Sequence, residues 1–93
     1  MKGDDVRKLI DEANQRERKD YQKMNIEELS AELRGAMEFE RVIFEKIEDM
    51  GKTGTEQDLL NYAKIVIKNT TGREISEIQE IYLKKIDNEY LSS

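Results

Sequence analysis

NIEELSAELRGAMEFERVIFEKIEDMG, residues 25–51, decides how this chain folds. It reads as one long helix with both ends marked. Asn25 can accept from the backbone of Glu28, and Glu28 can reach back to Asn25, a reciprocal capping box. Met24 before the cap and Leu29 inside it are spaced for a hydrophobic staple. At the other end, Gly51 reads as the left-handed residue that commonly closes a helix. The stretch between spans roughly 37 Å at 1.5 Å per residue. Leu29, Leu33, Ala36, Glu40, Ile43, Ile47 and Met50 alternate four and three apart, the seam spacing of packed helices. Met37 and Phe44 widen the stripe on one flank, and Phe39 and Val42 on the other. Gly35 reads as a place where a neighbour crosses closely.

Working outward, the preceding segment reads as a helix over 4–23. Val6, Leu9, Ile10 and Ala13 follow helical spacing, and Asp4 and Asp5 suit the positive end of the dipole. After Ala13 the stripe thins into a charged run, resumed only by Tyr21 and Met24. Downstream, Leu59, Leu60, Ala63, Val66 and Ile67 mark a helix over 56–69. Thr71-Gly72-Arg73-Glu74 then matches a second capping box, opening a helix over 73–91 on Ile75, Ile78, Tyr82, Ile86 and Tyr90. The expected fold is all-α in a single domain, 1–93. Its antiparallel three-helix core is 26–50, 56–69 and 73–91, with an additional N-terminal helix. The central helix exceeds the next by about three turns on these bounds. Either the N-terminal helix or a second copy covers that excess, and a second copy would make a dimeric helical bundle, a homodimer.

Composition narrows the function. The chain has no proline, cysteine or histidine. Disulfides, thiolate metal sites and imidazole acid–base chemistry are therefore outside its means. No apolar run approaches the ~20 residues of a membrane span, so no membrane association and a cytoplasmic location are expected. Residues 26–50 hold three Lys/Arg against eight Asp/Glu, which accounts for the whole net charge of −5. A general nucleic-acid coat is disfavoured by that balance.

The sites that remain are surfaces. Val6, Leu9, Ile10, Ala13, Phe39 and Val42 are the expected partner-binding residues, using helix-in-groove spacing. Arg16, Arg18, Lys19 and Lys23 are the alternative, a basic cluster able to grip the phosphates of a nucleic acid or nucleotide. Arg73, Lys84 and Lys85 form a smaller basic set. Glu40, a carboxylate on the seam, is either a polar contact fixing register or a residue at the core's edge. The carboxylate pairs Glu28/Glu32 and Glu45/Asp49 lack the histidines of di-metal bundles and read as solvated faces. No catalytic residues, metal ligands or cofactors are expected. The sequence resembles, in general style, small bacterial or bacteriophage regulators. The expected function is a small non-enzymatic helical protein that binds another protein as regulator, inhibitor or adaptor.

Overall fold

The computed structural model describes residues 2–91, and among them there are three α-helices and no strand. Helix α1 is Lys2–Asn14, α2 is Ile26–Lys52 and α3 is Gln57–Ile86, prolonged by a wider π-type turn over Asp87–Leu91. A short 3-10 turn, Tyr21–Lys23, interrupts the irregular stretch between α1 and α2. The molecule measures 56 × 20 × 17 Å. Its radius of gyration, 16.1 Å, exceeds the ~12 Å of a compact domain of this length.

Helix α2 begins as its sequence dictates. Asn25 accepts from the Glu28 N–H at 2.8 Å, and the Glu28 carboxylate accepts from the Asn25 N–H at 3.2 Å. Met24 lies against the cluster that buries Leu29. The closing glycine is a different one, because Gly51 remains helical. Gly54, at φ 94°, takes the left-handed position. Gly54 N–H donates to Gly51 C=O at 3.3 Å and Thr55 N–H to Met50 C=O at 3.0 Å, the two bonds of a Schellman motif.

The third and fourth expected helices are one. Thr71-Gly72-Arg73-Glu74 does not open a helix; the backbone runs through it in α conformation. Thr70 satisfies its hydroxyl inside the helix, on Val66 C=O at 3.0 Å and Ile67 C=O at 3.3 Å. Ile67, Thr71, Glu74, Ile75 and Ile78 continue one buried stripe across the supposed break. Gly72 costs about 1 kcal/mol in a helix interior, and burial of that stripe outweighs it. At 30 residues, α3 matches the 27 of α2, so α2 has no excess length for a second copy to cover.

The first helix is shorter than expected. It stops at Asn14, where the apolar stripe ends, and residues 15–25 continue as an extended strap. Glu12 lies 3.7 Å from Lys46, and the Arg16 guanidinium lies over Phe39. Further along the strap, the Lys85 ammonium donates to Gln22 C=O at 2.9 Å and to Met24 C=O. The chain therefore runs up through α1 and the strap, down through α2 and up through α3.

Two apolar clusters result. Val6, Leu9 and Ala13 join Ile43, Ile47, Leu60, Ala63 and Ile67 near the α2–α3 turn. Tyr21 joins Leu29, Ala36, Ile75, Ile78 and Ile81 at the opposite end. Gly35 is exposed and an added Cβ there would touch nothing, so no helix crosses at that point.

Candidate functional site

Between the two clusters sits a polar knot. The Glu74 carboxylate is 2 % exposed and is reached from the strap twice. Arg16 Nε donates to it at 2.6 Å and the Tyr21 hydroxyl at 2.5 Å. Residues five apart on a helix diverge by about 140°, so both side chains reach one carboxylate only because the strap is not helical. Burial, the hydrogen bond to Glu74 and its negative charge together push the Tyr21 hydroxyl up to about 12. Arg16 is also stacked on Phe39, 5.0 Å from the ring centroid.

The four expected phosphate-gripping cations do not converge as a set: Arg16 and Arg18 line one cleft, and Lys19 and Lys23 lie outside it. Arg16 answers Glu74, Arg18 lies 3.6 Å from Glu77, Lys19 lies 2.6 Å from Glu32, and Lys23 lies 3.7 Å from Asp20. These pairs hold the strap against α2 and α3, apart from the local Lys23–Asp20 contact. Three of the four carboxylates in the pairs on α2 have structural partners. Glu28 completes the cap, Glu32 takes Lys19, and Glu45 takes Arg41. Arg41 bonds Glu38 as well and holds that carboxyl below the usual range. Among the described residues, no group of three or more Asp or Glu is placed to hold a metal ion.

Of the six expected partner-binding residues, Val6, Leu9 and Ala13 are buried in the molecule's own core. Ile10 is half-buried against the same cluster. Their narrow stripe is used up within the chain. Phe39 is half-buried and Val42 exposed. These two do come together, in an open hollow of about 550 Å³ between α2 and the end of α1. Glu40 is half-buried at the core's edge, its Oε2 lying 3.6 Å from where a Cβ on Gly72 would stand.

The largest exposed apolar side chains lie elsewhere, on the side of α3 turned away from the core. Tyr62 is 59 % exposed, Ile65 60 % and Leu83 63 %, with Tyr90 and Leu91 beyond them. With α3 continuous, Tyr62, Ile65, Asn69, Gly72, Ser76, Gln79, Leu83 and Ile86 form a second seam at three- and four-residue steps, bordered near its centre by Glu40 of α2 beside Gly72 and by the end of α1 beside Asn69. The row is symmetric about position 74. Gly72 and Ser76 are small, Asn69 and Gln79 are amides, Ile65 and Leu83 are aliphatic, and Tyr62 and Ile86 close the ends. The sequence does not reveal this face while residues 56–69 and 73–91 are phased as separate helices. Glu74 is hidden in the same way, since its spacing from Thr71 reads as a cap.

No helix among the described residues is long and apolar enough to cross a membrane. Comparison with protein families, with curated proteins and with solved structures returns no match.

Proposed function

We propose that this chain is a non-enzymatic, cytoplasmic interaction protein whose binding surface is the outer seam of α3, and that a second copy of the chain occupies it. The observation that carries the reading is the symmetry of that seam about position 74. A two-fold axis there sets two α3 helices antiparallel. Ile65 then meets the Leu83 position of the other copy, Asn69 the Gln79 position, and Gly72 the Ser76 position. An isologous interface needs this self-complementarity, in which the same patch serves both sides. The small and amide residues at the centre let the two backbones approach and fix register, as a polar residue does in a coiled-coil seam. The apolar pairs on either side supply the burial.

The acidic surface of α2 stays outward in such a dimer and favours basic partner surfaces through steering. That is the regulator or adaptor role in concrete form. The test is light scattering behind a sizing column. The wild-type chain is expected at twice 10.9 kDa, with Ile65→Glu and Leu83→Glu each reducing it to the single-chain mass. Met37→Glu, at an exposed apolar position on α2, is expected to leave the mass doubled. A folded wild-type chain of single mass at high micromolar concentration overturns the proposal.

A further inference from the structure

Bordering the dimer seam and sharing Asn69 with it, a cleft of about 300 Å³ opens where the end of α1 and the start of the strap face the middle of α3. Its lining includes Arg16, Arg18 and Arg73 from two separate parts of the chain, with Asn69, Thr71 and Glu74. Thr71 is 2 % exposed, and its hydroxyl has no hydrogen-bond partner. Leaving a buried hydroxyl unpaired costs about 1–3 kcal/mol. Neighbouring Thr70 avoids that cost by bonding back into the helix, and Thr71 does not.

We infer that this cleft is a binding site for a phosphate group, free or as a small phosphate monoester. Three guanidiniums offer planar arrays of N–H donors, the arrangement that recognises phosphate oxygens. The carboxylates nearby are already answered. Glu74 takes Arg16 Nε and the Tyr21 hydroxyl, and Glu77 lies 3.6 Å from Arg18 at the exposed rim. Arg73 has no ion pair among the described residues, so the cleft keeps a positive excess. The C-terminal carbonyls of α1 oppose an anion there, but their partial charge is about half an electron. The Thr71 hydroxyl has under 1 Å² of exposed surface, so a phosphate oxygen accepts from it once the side chains covering it move aside. Polymeric nucleic acid is the poorer occupant, because the rest of the surface is acidic and the basic groups line a concavity.

The probes are inorganic phosphate and phosphoserine, each titrated at constant ionic strength against sodium chloride and followed by backbone amide NMR. Saturable shifts confined to Asn69, Thr71, Arg73 and the 14–18 strap support the site, and the tighter of the two probes identifies the source. Arg73→Ala is expected to weaken binding by about tenfold or more, the loss of one charge-assisted contact. Thr71→Val, which keeps the shape and removes the hydroxyl, is expected to weaken it while leaving the wild-type amide pattern. Shifts no larger than chloride produces, or equal binding by Arg73→Ala, overturn the inference.

Discussion

At the scale of single residues, Glu74 is the most consequential side chain in the molecule. It joins residues 53 and 58 positions away in sequence and closes the gap between two apolar clusters. Glu74→Ala leaves the Arg16 charge partly buried without its partner, and a loss of about 3 kcal/mol in urea unfolding is expected. Glu74→Gln keeps an acceptor for Tyr21 and is expected to lose less. Tyr21 gives the pH signature of the same knot. Its folded-state value lies above that of the unfolded chain, so its stabilisation is complete below pH 10 and fades as the pH climbs towards 12. The contribution is about 2–3 kcal/mol, since each tenfold gain in proton affinity on folding is worth about 1.4 kcal/mol. Wild type is therefore expected to lose more stability than Tyr21→Phe between about pH 8 and about pH 12. Equal losses in the two chains mean that the hydroxyl is not held as described.

At the scale of elements, the sequence is legible where structure is set locally. The Asn25–Glu28 cap needs only four consecutive residues, and it forms. The same kind of pattern misleads at Thr71–Glu74. Spacing of three marks a cap at a helix start, yet inside a helix it places two residues on one face, here the buried one. Nothing local tells these apart; Ile67 and Ile75, buried on either side, do. The glycines separate the outcomes experimentally. Gly35→Ala and Gly72→Ala sit inside continuous helices with room for a methyl group within the chain, and each is expected to stabilise the single chain, measured at a concentration too low for pairing, by about 0.5–1 kcal/mol. Gly54→Ala forces a side chain into the left-handed region and is expected to destabilise by about 1 kcal/mol. Thermal unfolding of the three variants checks both signs. A destabilising Gly72→Ala contradicts the unbroken α3.

At the scale of the whole molecule, one misplaced break hides the face that carries the most exposed apolar side chains of α3. Phasing 56–69 and 73–91 separately obscures a face shared by Tyr62, Ile65 and Leu83. Joined into one helix of about 45 Å, they line up on the side away from α1 and α2. The strap is equally out of reach, because its contacts to Glu74 and Lys85 cross more than fifty residues and follow no periodicity. What composition does convey is the kind of molecule: helical, highly charged, and without the histidine or cysteine of common catalytic sites. The seam carries exposed apolar side chains at both ends and a two-fold pattern, and these are what support the proposed second copy as its occupant. The lack of cysteine also allows one introduced thiol to carry a unique label. Glu80→Cys, exposed at the flank of the seam and spin-labelled there, measures the pairing by pulsed dipolar spectroscopy. Two antiparallel helices centred on position 74 place the labels about 20 Å apart, from 1.5 Å per residue along the axis and 8–10 Å between axes. A single distance near that value is the expected result, and the absence of any coupling between labels in the folded chain contradicts the account.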